Sequence, residues 1–192
     1  MNIDYLLKKM LGRTNCQLDK TTKLYPSARI HSARGLGGKI TIGAHSVVRG
    51  ELTVFGHGAE LTVGSWCYIG DGAKIWSARK IVLGDRVLIS HNVSIFDSQT
   101  HPIDPQLRHE QFKSIMTSGH PRNLQLNEEE VTIGNDVWVG CNSVVLRGVA
   151  LGECCIVGAG SVVTKSVPPF AMAAGNPARV IRMLVPNERT PD

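Results

Sequence analysis

From residue 133 the chain reads IGNDVW, VGCNSV, VLRGVA, LGECCI, VGAGSV, VTKSVP, so an aliphatic side chain returns every sixth position: Ile133, Val139, Val145, Leu151, Val157, Val163. The same interval links Ile42, Val48 and Val54, then Val63, Ile69 and Ile75, then Leu83, Ile89 and Ile95. A period of six fits neither a 3.6-residue helix nor the two-residue alternation of an ordinary strand. It fits a strand of a few residues followed by a tight turn, repeated. Three such units close a coil of about 18 residues whose interior stacks aliphatic side chains in columns, and successive coils pair as parallel strands about 4.8 Å apart. Gly follows the aliphatic residue at 134, 140, 152 and 158, and suits a turn that needs unusual φ/ψ. Between residues 24 and 170 roughly six or seven coils fit, a solenoid about 30 Å tall.

These motifs resemble the hexapeptide-repeat acyltransferases, whose fold is a left-handed parallel β-helix. Handedness comes from the resemblance, because parallel crossovers in general favour the right-handed form. The expected fold class is therefore all-β, a left-handed parallel β-helix with a long loop insertion and short terminal helices. Its expected divisions are an N-terminal helix and extension at 1–23, the β-helix at 24–170 with an inserted arm at about 97–130, and a C-terminal segment at 171–192.

Breaks in the spacing locate the insertions. Val54 to Val63 is nine residues and Ile75 to Leu83 is eight, small excesses at corners. Ile95 to Ile133 is 38 residues, which is one hexad plus 32 more. The polar stretch between them holds His101, His109 and His120, three of the seven histidines, and reads as an arm projecting from the prism. At the start, Ile3, Leu6, Leu7, Met10 and Leu11 fall on one helical face. That helix is expected to pack on the solenoid or a neighbouring subunit. Lys8 and Lys9 would suit peripheral contact with a membrane, but eleven residues are a weak case for it.

Composition narrows the classes. No apolar run approaches the roughly 18–20 residues of a membrane span, and the opening residues lack a secretory signal's apolar core and cleavage site. A cytoplasmic protein is expected. The net charge of +5 comes without clustered Lys and Arg interleaved with aromatics, so nucleic acid is not the expected partner. The five cysteines, Cys16, Cys67, Cys141, Cys154 and Cys155, form no CxxC or zinc spacing and read as free thiols.

His101 stands six residues after Ile95, at a corner where the arm departs. Its surroundings, His101-Pro102-Ile103, then Leu107-Arg108, then a resumed hexad at Ile133, resemble galactoside- and maltose-type O-acetyltransferases. In that family the histidine of such a His-Pro step is the catalytic base. The chemistry suits it: a sugar hydroxyl must lose its proton as it attacks, and neutral imidazole is poised near pH 7 to take it. A thioester is already activated, so direct attack needs no covalent enzyme intermediate. Asp97 and Asp104 are the nearby candidates to orient the ring, with a backbone carbonyl as the alternative.

The resemblance implies acetyl-CoA as co-substrate, no metal, and a homotrimer whose sites form between subunits. It implies that Trp138 lines the donor tunnel, that Cys141 and Ala159 touch the pantetheine, and that Thr164, Lys165, Arg179 and Arg182 face the adenosine phosphates. Arg and Lys suit phosphate oxygens by charge and donor count. The chain departs from galactoside-type members at Tyr68-Ile69-Gly70-Asp71-Gly72, where they place an acceptor-binding Asn. The expected acceptor is therefore a carbohydrate hydroxyl on a glycan, a nucleotide sugar or a lipid-linked sugar, in polysaccharide or surface-glycan synthesis. Two rivals are a non-catalytic scaffold and a γ-type carbonic anhydrase. The latter needs three histidines converging on zinc, whereas His91 and His101 are ten apart and His120 lies deep in the arm.

Overall fold

The computed structural model describes residues 3–10, 15–32, 38–55, 58–119, 121 and 126–185. Its strands lie on three flat faces of a prism. The first face stacks Cys16–Leu18, Lys39–Ile42, Glu60–Val63, Lys80–Leu83, Val131–Ile133 and Ala150–Leu151. The second stacks Lys23–Leu24, Val47–Val48, Tyr68–Ile69, Leu88–Ile89, Trp138–Val139, Ile156–Val157 and Ala171–Gly175. The third stacks Arg29–Ser32, Glu51–Val54, Lys74–Ser77, Ser94–Phe96, Val144–Val145 and Val162–Val163. Each chain turn visits the faces in that order, and every pairing within these stacks is parallel. The molecule is a parallel β-helix, and its coils reach beyond 24–170: Cys16–Leu18 already pairs with Ile40–Ile42, and Ala171–Gly175 pairs with Ile156–Val157.

The six-residue period becomes three interior columns, with one correction: Leu52 and not Val54 continues the third column, since Leu52 pairs with Ile75 and Val54 with Ser77. Ile42, Val63, Leu83, Ile133 and Leu151 line the first face from within; Val48, Ile69, Ile89, Val139 and Val157 the second; Leu52, Ile75, Ile95, Val145 and Val163 the third. None of these fifteen is more than 2% exposed. Burying each aliphatic side chain contributes about 1.5–3 kcal/mol, which sets the hexad pattern as the main source of cohesion.

The glycines after the aliphatic positions serve a different purpose from the turn conformation expected of them. The residues with φ between 54° and 61° at the corner joining the first and second faces are His45, Trp66, Arg86, Asp136, Cys154 and Phe170, none of them glycine. Gly43, Gly64, Gly84, Gly134 and Gly152 form the adjacent column, where coils pass at their closest. A Cβ on Gly64 would lie 2.3 Å from the carbonyl oxygen of Gly84, and one on Gly152 would lie 2.3 Å from the backbone nitrogen of Pro169.

At the N-terminal end, helix α1 (Ile3–Met10) packs on the first coil. It buries Tyr5 and partly buries Leu6, while Ile3 and Leu7 remain exposed, so only part of the expected apolar face is used. Leu11 and the side chain of Met10 lie outside the described residues. At the other end no terminal helix forms among the described residues; Ala178–Met183 folds back antiparallel on Ala171–Gly175. No described helix is long and apolar enough to cross a membrane.

The arm leaves the third face after Phe96 and carries helix α2 (Pro105–Thr117). Asp104 caps that helix: its backbone is extended and its carboxylate accepts the Leu107 N–H at 2.9 Å, while Pro105 occupies the first helical turn. The neck is laced by backbone bonds between outgoing and returning chain, Gln99 N–H to Leu126 O at 2.9 Å and Glu129 N–H to Asp97 O at 2.8 Å.

Candidate active site

His101 lies just beyond that neck. Thr100 precedes it with φ 60°, and the His101 N–H reaches back to Gln99 O at 2.6 Å, a tight local turn. The ring is exposed to solvent and lines a cavity of about 360 Å³ together with Pro105, Arg108, His109 and Phe112. Arg108 is fastened there: its Nη1 donates to the carbonyls of Pro102 at 3.0 Å and Ile103 at 2.9 Å.

The group on the imidazole is neither of the expected carboxylates. His101 Nδ1 lies 2.7 Å from Gln111 Oε1, and Gln111 Nε2 donates to Thr100 O at 3.1 Å. Gln111 is the one described residue of α2 that is buried, at 5% exposure. Asp97 is wholly buried and accepts from Ser77 Oγ at 2.7 Å and from the N–H groups of Ala78, Arg79 and Lys80 at 2.7–2.9 Å. It ties the arm's root to the coil before it. Asp104 is consumed as the helix cap. Both carboxylates thus build the arm, because a turn of three free N–H groups and a helix start each offer a better site for an anion than an imidazole does.

The seven residues expected at the donor site fall into three groups. Trp138 and Arg182 belong to one outward row of the second face, since Trp138 pairs with Ile156, Ile156 with Met172 and Met172 with Arg182. Trp138 is 48% exposed, and its Nε1 donates to Ser90 Oγ at 3.1 Å. Cys141 and Ala159 lie at the next corner, where the Gly160 N–H donates to Cys141 O at 2.8 Å; Arg179 adjoins it, paired with Ala174. Thr164 and Lys165 stand one corner further on, after the third face, the same edge from which the His101 arm departs. Within one chain, the third face separates His101 from Trp138 and Cys141.

No metal-ligating cluster occurs among the described residues. His91 stands edge-on to Tyr68, with ring centroids 6.4 Å apart, and His120 lies outside the described residues. All five cysteines are free. Burial pushes the Cys155 thiol up to about 12 and raises that of Cys67, leaving both as packing groups.

Gln111 escaped the sequence reading. A signal was present: Asp104-Pro105 is a cap followed by an N1 proline, which announces a helix. One turn of reasoning further, that helix would carry Gln111 back over its own start. Its burial, however, depends on where the helix lies, which no local pattern states.

The fold and the repeat together define the class: a hexapeptide-repeat protein with the parallel β-helix architecture. Residues 130–165 match the family described as bacterial transferase hexapeptide (six repeats). The chain is 34% identical over 142 residues to galactoside O-acetyltransferase of Escherichia coli K12, covering 74% of this chain and 63% of the relative. It thus spans less than two thirds of that relative's length. Among solved structures it is similar to the polySia-specific acetyltransferase NeuO, with TM-score 0.70, 25% identity, and coverage of 91% of this chain and 69% of the other. It is also similar to a galactoside acetyltransferase in complex with coenzyme A, with TM-score 0.53, 27% identity, and coverage of 95% and 70%.

Proposed function

We propose that this protein transfers an acetyl group from acetyl-CoA to a hydroxyl of a carbohydrate, with His101 as general base. The observation that carries the reading is the fixed imidazole of His101, hydrogen-bonded through Nδ1 at the neck of the arm and lining a cavity beside Arg108, His109 and Phe112. Nε2 makes no hydrogen bond among the described residues. It takes the hydroxyl proton as the oxygen attacks the thioester carbonyl. The tetrahedral intermediate collapses with cleavage of the C–S bond, and the imidazolium returns its proton to the departing thiolate.

The donor lies against Trp138, Cys141 and Ala159, with Thr164, Lys165, Arg179 and Arg182 toward its phosphates. Because the third face stands between His101 and both Trp138 and Cys141 within one chain, the complete site is built between copies, as in a trimer. The similarity to sugar acetyltransferases, one of them specific for polySia, supports a carbohydrate acceptor in polysaccharide or surface-glycan synthesis. The Arg108 guanidinium in the lining of the His101 cavity suits an acceptor bearing negative charge.

CoA release from acetyl-CoA, followed with a thiol reagent across neutral sugars, sialosides and nucleotide sugars, tests this. Acceptor-dependent release that collapses in His101→Ala is expected. Absence of both acetyl-CoA binding and turnover would leave a scaffold as the better reading.

A further inference from the structure

We propose that Gln111 fixes His101 in the Nδ1–H tautomer, leaving Nε2 as the basic nitrogen. The inference rests on His101 being the base of the proposed reaction, and it names the residue that makes it one.

Donor and acceptor roles around the amide admit one neutral arrangement. Thr100 O can only accept, so the end of the Gln111 amide that faces it at 3.1 Å must be the NH₂. The amide oxygen then faces His101 Nδ1 at 2.7 Å, and an amide oxygen can only accept. Nδ1 therefore carries a proton. The ring of a histidine side chain in water favours the opposite tautomer, with the proton on Nε2, which then cannot accept one there. Gln111 inverts that preference.

The arrangement is rigid for reasons visible in the fold. Gln111 is buried at 5% exposure on a helix with no other buried described side chain, so breaking its two bonds would leave a buried amide unpaired. Thr100, in its left-handed conformation, offers the carbonyl that orients the amide. The same loop thus supplies the base and the reference that orients its orienter. The Nδ1–H···O bond persists when the ring becomes imidazolium, since both nitrogens then donate, and the ring keeps its position through the cycle.

An amide also differs from the carboxylate expected in this place. It holds the ring without placing a negative charge behind it. Arg108 and His109 line the cavity on the ring's side, and Asp104 is engaged by the helix start. Gln111→Glu would add an anion against Nδ1, favouring the charged ring.

Gln111 is a positioning residue, so its test reads the ring itself. Nitrogen-15 shifts of labelled histidine in the full-length protein, assigned with His101→Ala, report the tautomer without any turnover. The neutral His101 ring is expected with its proton on Nδ1; a neutral ring protonated on Nε2 would overturn the proposal. Gln111→Met is expected to move the proton to Nε2 and lower kcat on the order of 10²-fold with KM for acetyl-CoA unchanged. Gln111→Glu is expected to keep the Nδ1–H tautomer and shift the acidic limb of the kcat/KM profile upward by about one pH unit or more. Unchanged tautomer and pH profile in both folded variants would overturn the proposal. An Nδ1–H ring in a protein that turns over no acceptor would uphold the assignment while sinking the acetyl-transfer reading.

Discussion

Asp97 accepts the Ser77 hydroxyl at 2.7 Å, and the two residues lie fully buried at the edge where the arm leaves the β-helix. Three successive backbone N–H groups, from Ala78 to Lys80, close on the same carboxylate. The extra residues between Ile75 and Leu83 thus form a cradle whose purpose is to hold the root of the next coil's insertion. Asp97→Asn replaces one accepting oxygen by an NH₂ group that faces donors. We expect a loss of about 3 kcal/mol or more, which lowers Tm by roughly 6–12 °C for a chain of this size. Thermal melting checks this. A variant that melts normally yet loses turnover would instead place Asp97 in the chemistry.

The glycine columns allow two causes to be separated. Gly64 has an ordinary φ but no room, with the Gly84 carbonyl 2.3 Å from a built Cβ. Gly160 has open space but φ 69°. Gly64→Ala must push two coils apart and is expected to cost about 1–3 kcal/mol or more. Gly160→Ala carries only the left-handed penalty of about 1–2 kcal/mol. Gly160→Asn should be close to neutral, because Asn92 and Asn142 occupy the same corner at φ 57° and 58°. Chemical denaturation of the three variants gives the ranking; equal losses for Gly160→Ala and Gly160→Asn would refute the conformational account.

The repeat was legible because burial enforces it. Every coil needs its own Ile, Leu or Val at the same three interior places, so the period survives in the letters from Ile42 to Val163. What glycine does at Gly64 was not legible, because an adjacent coil's approach is a contact between residues about 20 apart and leaves no local trace. The same holds for the site. His101 was singled out by its corner position and its His-Pro step, whereas Trp138, Cys141 and Ala159 came from the family resemblance and not from any local chemistry. The partner of the imidazole was sought among charges near in sequence. Asp97 and Asp104 were the nearest, but stronger local claims on them, a nest of N–H groups and a helix start, had to be met first. Gln111, on the second turn of α2, meets His101 and Thr100 only because of where that helix lies against the loop before it.

Arg86 and Asp136 span neighbouring coils in a two-point contact, Nε to Oδ1 at 2.6 Å and Nη2 to Oδ2 at 2.7 Å. The hydrogen bond from Arg86, helped by its charge, holds the Asp136 carboxyl below the usual carboxylate range. A carboxylate depressed in the folded state adds stability above its unfolded value, near 3.9, and loses it as pH falls through the folded one. Arg86→Met should therefore lower Tm slightly at pH 7, by an amount that shrinks in high salt because the pair is half exposed. The difference from the unsubstituted protein should close as the pH drops below the carboxylate range. A gap that stays constant down to acid pH would mean that Arg86 acts through its packing.

The cysteines supply a probe of the proposed donor site. Cys16, Cys67 and Cys155 are buried, whereas Cys141 and Cys154 are half-buried at two different corners. Burial raises the thiols of Cys67, Cys154 and Cys155, the last to about 12, and so depletes the thiolate that alkylates. Iodoacetamide on the native protein should label Cys141 first and Cys154 more slowly, both ahead of the three buried thiols, with all five reacting after unfolding. CoA should slow labelling of Cys141 alone, because Cys154 belongs to the corner between the first and second faces and Cys141 to the corner after the second. Peptide mass mapping with and without CoA separates the outcomes. Protection of Cys141 locates the donor along the Cys141–Ala159 edge. Equal protection of both would indicate a global tightening of the coil, and protection of neither, despite CoA binding, would move the donor off that edge.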